Sequence, residues 1–456
     1  MSHSGASLRR VLTRRDLVLY GLVILTPTAP YPVYGVVQQV SHGHAALAYL
    51  VAMVAMLFTA GSYGKMSTAF PAAGSTYTYA RRALNEHVGF LAGWAMILDY
   101  FLIPLESIIY AALTAHRLLP SISYDVWVVM FTLALTLINI RGIRVTAQAS
   151  TVLMAAMTIC AIAFIILAAR YLMALHGPGA LFESRALFRP ETFSVRPLML
   201  GAGVAALSYI GFDAISTLAE DTKKPKRDIG FATVLVCILQ GVICFVTVYL
   251  AAAVWMDYRS FPQVETAILD IGNRIGGVSM FGGLIAVLLV AGLASALTGQ
   301  AGASRLLYGM GRDGVLSRRV FAYIHPRFST PTRGIYLMAA VSLLGALFLR
   351  FQIAVELLNF GAFTGFVMVN LSVIRHFFIR KRLRHGRELL TNLISPALGA
   401  GFCFYLWMSL SEKAKIAGFI WLAIGAAYLA ILTRGFRAAP KSLGSISEVA
   451  ETEPGA

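Results

Sequence analysis

Apolar runs long enough to cross about 30 Å of hydrocarbon recur from one end of this chain to the other. They fall near residues 17–40, 46–69, 88–116, 123–140, 147–174, 198–220, 229–254, 276–308, 334–350, 354–378, 392–411 and 416–434. A backbone in lipid has to satisfy its polar groups within its own segment, so runs of this kind fold as helices. The expected fold class is an all-α integral membrane protein of about twelve transmembrane helices. Charged residues make up 13% of the chain, against about 25% in an ordinary soluble domain. That is too little charge to cover a chain of this size in water, so lipid has to face much of the surface. Residues 1–16 place Arg9, Arg10, Arg14 and Arg15 ahead of the first run, as a signal peptide would. The run itself is too long for a signal peptide and lacks an A-x-A cleavage site, so it is read as the first span.

The net charge is +17. In a soluble protein that would point to nucleic acid. Here the basic residues sit in short loops between apolar runs, where they report topology. With the N-terminus in the cytoplasm, 28 of the 38 Lys and Arg fall on the cytoplasmic side and 10 on the other. The asymmetry predicts both termini on the cytoplasmic side of the membrane. The tail 435–456 is polar and is expected to be a cytoplasmic extension. Cys160, Cys237, Cys244 and Cys403 all lie in apolar segments and read as small core residues. His42 and His44 have no Cys or acid near them in the chain. No metal or cofactor is expected, no P-loop marks an ATP-driven pump, and oligomeric state is left open.

Two spans depart from helical pattern. The first contains Thr26-Pro27-Thr28-Ala29-Pro30, and each proline there removes an N–H and crowds the preceding turn. The sixth contains Ser208-Tyr209-Ile210-Gly211-Phe212-Asp213, a helix-weakening glycine beside an acid at membrane depth. The breaks lie five spans apart, and an odd offset makes the two copies enter from opposite sides. That is an inverted repeat, spans 1–5 against 6–10, with a solute site where the broken helices meet. Proline kinks are also common in membrane helices for purely structural reasons. The expected organisation is a cytoplasmic segment 1–16, a ten-helix core 17–378, a basic cytoplasmic loop 379–391, two further helices over 392–434, and the tail.

Three motifs resemble a known family. Phe70-Pro71-Ala72-Ala73-Gly74-Ser75-Thr76-Tyr77-Thr78-Tyr79-Ala80 follows span 2. Gly211-Phe212-Asp213 is followed by Glu220-Asp221-Thr222-Lys223-Lys224-Pro225. Ser304 to Leu316 leads to His325-Pro326 and Thr330-Pro331. In this order they resemble the amino acid–polyamine–organocation (APC) superfamily of transporters, over roughly residues 15–435. Leu25-Thr26-Pro27, Leu98-Asp99-Tyr100 and Asn359-Phe360-Gly361-Ala362 are most similar to bacterial putrescine importers. The resemblance implies the five-plus-five inverted-repeat fold, alternating access, and uptake driven by an ion gradient.

A carboxylate in mid-bilayer costs about 2.5–3.5 kcal/mol and usually faces a cavity or a partner. Asp99 and Glu106 in span 3 and Asp213 at the break of span 6 lie at that depth, with no Lys or Arg level with them. Asp99 and Glu106 are two turns apart on one face, which Tyr110 continues. A stripe of two carboxylates and a phenol suits an extended diamine, whose ammonium ends want charged acceptors. The bland alternatives are protonation by burial, a bond to a neighbouring helix, or, for Asp213, capping of the second half of span 6. In the resembling family an acid at the Asp213 position contacts substrate or couples proton movement. Amino-acid carriers of that family cradle the substrate carboxylate on free N–H groups at the break of span 1. Pro27 and Pro30 offer none, although Thr28, Ala29 and Tyr31 still have donors. The candidate substrate-binding set is Thr26, Pro27, Thr28, Asp99, Glu106, Tyr110, Tyr209, Gly211, Phe212 and Asp213. Tyr31 and Tyr34 are further aromatics near the break.

For ion coupling the candidates are Asp213 and Glu106 for a proton and Ser295 and Thr298 for sodium. The proton is favoured, because hydroxyls in membrane helices commonly bond their own backbone. The Lys that replaces sodium in some members of the family has no counterpart between Ala147 and Ala169. Arg305, Arg312 and Asp313 are expected to pair with Glu220 or Asp221 in an inner gate. The basic cluster from Arg375 to Arg387 reads as a topology anchor near anionic lipid. These features favour a secondary active importer of a polyamine, putrescine first. The alternatives are an amino acid permease, or a membrane sensor that binds a solute without moving it. An enzyme is not expected.

Overall fold

The computed structural model describes residues 12–71, 75–142, 147–219, 221–312 and 316–437, and only the backbone of 147–150, 176 and 217. Ala72, Ala73, Gly74, Glu220, Asp313, Gly314, Val315 and the tail beyond 437 lie outside the described residues, so the gate pairings expected of Asp313 and Glu220 do too. Among the described residues, eight helices are long and apolar enough to cross a membrane. Three shorter apolar helices, Tyr124–Ile140, Val195–Tyr209 and Thr332–Phe348, lie where spans 4, 6 and 9 were expected. With the broken first span they account for the expected crossings.

Span 1 is two half-helices, Arg14–Leu25 and Tyr34–Val40. Spans 2, 3 and 5 are Ala45–Ala69, Glu86–Leu118 and Ala147–His176. Span 6 runs from Val195 through a 3₁₀ turn, Ala206–Tyr209, and resumes as the 3₁₀ segment Phe212–Ala219. Spans 7 and 8 are Pro225–Val254 and Ala267–Arg312, and span 10 is Phe351–Val373 with a π-helical end. Ser395–Ser409 and Glu412–Leu432 complete spans 11 and 12.

Local chemistry sets these ends. The Asn85 side chain accepts from the Val88 N–H at 2.8 Å, and Glu86 in the first turn complements the helix dipole of span 3. Pro225 opens span 7, where its missing N–H costs nothing. Pro104 lies inside span 3, two residues before Glu106. Its ring can make no hydrogen bond to the preceding turn, which loosens the helix at the depth of the acid. Two features were not anticipated. The loop after span 2 contains a helix, Ser75–Ala83, and span 8 is interrupted at Gly277, with φ 62° and ψ −157°. The segment before Gly277 is a separate helical stretch, and Arg117 at the end of span 3 pairs there with Asp270.

Span 2 packs along span 7, and span 3 along span 8. A two-fold relation between spans 1–5 and 6–10 gives this pairing. Spans 2 and 7 meet backbone to backbone: a Cβ on Gly64 would stand 2.7 Å from the Gly230 Cα. The first half-helix of span 1 lies on span 7 and on the 3₁₀ half of span 6. The two breaks are thus neighbours in the middle of the bundle.

Candidate substrate site at the two helix breaks

The helix of span 1 ends at Leu25, and Thr26 takes the left-handed side of the map, φ 50° and ψ 134°. Three prolines, Pro27, Pro30 and Pro32, keep the chain from resuming a helix before Tyr34. The donors left in the break are partly spent within it. The Ala29 N–H donates to the Thr26 carbonyl at 3.2 Å, and the Tyr31 N–H to the Thr28 carbonyl at 3.0 Å.

In span 6 the chain turns at Gly211, whose φ is 122°. A side chain there would be strained, and its Cβ would come 2.6 Å from Ile24 Cγ2 in span 1. The Gly211 N–H donates to Asp213 Oδ1 at 3.3 Å. Polar bonds tie the two breaks together: the Ser208 hydroxyl donates to the Ala29 carbonyl at 3.3 Å, and Tyr49 of span 2 lies 3.1 Å from the same hydroxyl. Gln240 of span 7 donates to carbonyls on both breaks.

A cavity of about 330 Å³ opens beside the breaks, between spans 1, 3, 5, 6, 8 and 10. Thr26, Thr28, Glu106, Tyr110 and Gly211, five of the ten expected binding residues, line it. Ile103, Met157, Leu288 and Leu358 supply apolar wall, and no Lys or Arg is part of its lining. The Ser107 hydroxyl stands 3.4 Å from Glu106 Oε2 and 3.1 Å from Ser295 Oγ. The cavity thus pairs one carboxylate with hydroxyls on an otherwise apolar surface. Tyr110 is buried and adds its phenol ring to the cavity wall.

The other five expected residues lie off this cavity. Pro27 is buried behind the break. The Tyr209 hydroxyl donates to the Tyr49 carbonyl at 3.0 Å, a span 6 to span 2 brace. Phe212 stacks on Phe366 with centroids 5.3 Å apart and meets the edge of Tyr63 at 5.6 Å. Asp99 shares a face of span 3 with Glu106 but does not join it at the cavity, which Glu106 lines and Asp99, about 10 Å along the helix, does not. Instead the Asp99 carboxyl lies against span 10, where a Cβ on Gly361 would stand 2.7 Å from its Oδ1. Among the described residues, the buried Asp99 Oδ1 has no hydrogen-bond partner. The acids are therefore sorted into Glu106 in the cavity and Asp99 and Asp213 off it.

The two hydroxyls expected at a sodium site also separate. Ser295 lines the cavity, whereas Thr298 donates to the Ala294 carbonyl of its own helix at 2.9 Å. Tyr31 packs on Phe164 at 5.3 Å. Sequence reasoning missed Ser107, Ser208 and Gln240. Gln240 had a signal, a lone amide in the middle of the apolar run 229–254.

A multi-pass membrane protein whose two broken helices meet beside a largely apolar cavity holding one carboxylate is built as a solute carrier. Residues 32–432 match the amino acid permease family, and the chain belongs to it. It is a transporter and not an enzyme. The chain is 34% identical over 435 residues to the low-affinity putrescine importer PlaP of Escherichia coli K12, covering 95% of this chain and 96% of that one. It is 26% identical over 449 residues to a methylthioribose transporter of Bacillus subtilis, and 25% over 444 residues to the branched-chain amino acid permease BcaP of the same organism. Each of these two covers 92% of both chains.

Proposed function

We propose that the protein imports a polyamine, putrescine first, across a bacterial inner membrane, with both termini cytoplasmic. One observation carries the choice of substrate class. The cavity at the breaks offers a carboxylate, Glu106, and no basic side chain, while the Ala29, Tyr31 and Gly211 N–H groups already have acceptors. A carboxylate-bearing substrate would find its backbone cradle largely taken, whereas an ammonium finds a counter-charge. The likeness to a putrescine importer supports the same reading.

The solute enters the cavity from one side, and its ammonium sits on Glu106 with its alkyl chain along Ile103 and Leu288. Alternating access then moves the breaks so that the cavity faces the other side. Proton coupling is assigned to Asp213. Its carboxylate accepts from the Gly211 N–H at the break, so taking up a proton changes the bond that holds the break. Uptake of labelled putrescine into proteoliposomes tests the whole reading. Accumulation driven by an inward proton gradient, competed by diamines and not by neutral amino acids, is expected. Uptake of branched-chain amino acids with no response to diamines would overturn it in favour of a permease. Binding without accumulation under any gradient would favour a sensor.

A further inference from the structure

Gln240 lies inside span 7 at 1% exposure, facing neither lipid nor the cavity lining. Its Nε2 lies 3.2 Å from the Leu25 carbonyl, 3.0 Å from the Thr26 carbonyl and 3.2 Å from the Ser208 carbonyl. The first two end the helix of span 1, and the third belongs to the last turn before the break of span 6. A helix that stops in mid-bilayer leaves carbonyls without partners, each costly to bury. One amide meets that need for both broken helices at once.

The rest of span 7 follows the same line. Four residues before Gln240 and on the same face, Val236 packs so closely that a Cβ on Gly21 would stand 2.9 Å from its Cγ2. Two turns earlier still, Asp228 accepts from Arg14 at 2.8 Å. The stripe Asp228, Val236, Gln240 therefore runs beside the first half-helix from its start to its break.

We propose that Gln240 is a positioning residue of the transport site, holding the breaks of spans 1 and 6 in the relative placement that forms the cavity. The proposal rests on the breaks being the transport site and not on which solute is carried. It also bears on specificity. Carbonyls at such breaks commonly coordinate a cation. Here the two N–H groups of a neutral amide are shared among three of them, so the counter-charge for a cationic solute falls to Glu106.

The test uses the full chain in lipid nanodiscs and proteoliposomes. Gln240→Leu removes the hydrogen bonds at similar volume, and Gln240→Asn keeps the amide on a stem one methylene shorter. Hydrogen exchange of peptides covering 22–34 and 206–214 should speed up together in both variants, by about tenfold, on the order of one lost buried hydrogen bond. Peptides from spans 3 and 10 should stay unchanged. For whichever solute the wild type carries, KM should rise by about tenfold with the maximal rate nearly constant, because a smaller fraction of the protein holds the binding-competent arrangement. Loosening of one break alone, no loosening, or loosening spread over spans 3 and 10 overturns the proposal. If Gln240→Leu fails to fold, Gln240→Asn carries the same readouts. A wild type that takes up no diamine sinks the polyamine reading while leaving the exchange result on Gln240 intact.

Discussion

Trp94 and Trp421 hold each other reciprocally: each indole N–H donates to the other's carbonyl at 3.0 Å, and the rings stack with centroids 4.9 Å apart. The pair joins span 3 to span 12. Trp94 is twelve residues, about 18 Å, from Glu106 along one helix, so it anchors the span that carries the cavity acid. Trp421→Phe deletes one of the two bonds and part of the stack, a loss of about 1–2 kcal/mol. The variant should melt at a lower temperature in detergent while its KM stays at the wild-type value. A changed KM at unchanged melting temperature would show that span 12 shapes the site directly.

Glu106→Gln should keep the shape of the cavity and remove its charge. Stripping one partner from a desolvated ion pair costs about 3–5 kcal/mol, or roughly two to four decades in affinity. Equilibrium binding of labelled putrescine to purified protein should fall by that amount, with expression and melting unchanged. Binding at wild-type strength would mean the ammonium sits elsewhere.

Asp213→Asn should act on coupling and not on binding, because Asp213 does not line the cavity. The variant should still bind solute and exchange it across the membrane, but lose accumulation under an inward proton gradient. Asp99→Asn should show the same pattern more weakly. If sodium drives the wild type and a proton gradient does not, the assignment to Asp213 is wrong.

Gly211→Ala places a Cβ in a backbone conformation with φ 122°, 2.6 Å from Ile24 Cγ2. Strain of this kind costs about 1–3 kcal/mol. Uptake should drop at least tenfold, and Ile24→Ala should not restore it, since trimming the neighbour relieves the contact and leaves the backbone strain. Full rescue by Ile24→Ala would show that crowding alone matters there.

At the start of span 1, Arg14 reaches Asp228 through Nε at 3.0 Å and Nη2 at 2.8 Å, and Leu12 forms a backbone bridge beside Thr222, donating to the Asp221 carbonyl and accepting from the Lys223 N–H. The Arg14 side chain is 34% exposed, so the pair is worth about 0.5–1 kcal/mol and not the value of a buried one. Arg14→Gln should raise the reactivity of a cysteine placed at the buried Thr222 by up to about fivefold. The swap of Arg14→Asp with Asp228→Arg should bring it back. Equal reactivity in all three would show that the backbone bridge alone keeps this end closed.

The sequence determined the class of protein and the course of the chain. Lipid forces every span to be an unbroken apolar run unless the chain stops for a reason, so the spans could be counted and the stops at Pro27–Pro30 and Gly211 stood out. The acids stood out too, because charge at that depth is rare. Tertiary structure decided how the acids divide. Asp99 and Glu106 share a face of span 3, yet Asp99 comes to lie against span 10 at Gly361 while Glu106 lines the cavity. It also decided the partners across long separations, Gln240 with Leu25 and Ser208, Arg14 with Asp228, Trp94 with Trp421. Helical periodicity says which residues share a face of one helix. Which helix comes to stand opposite that face is set by the packing of the whole bundle, and no local pattern encodes it.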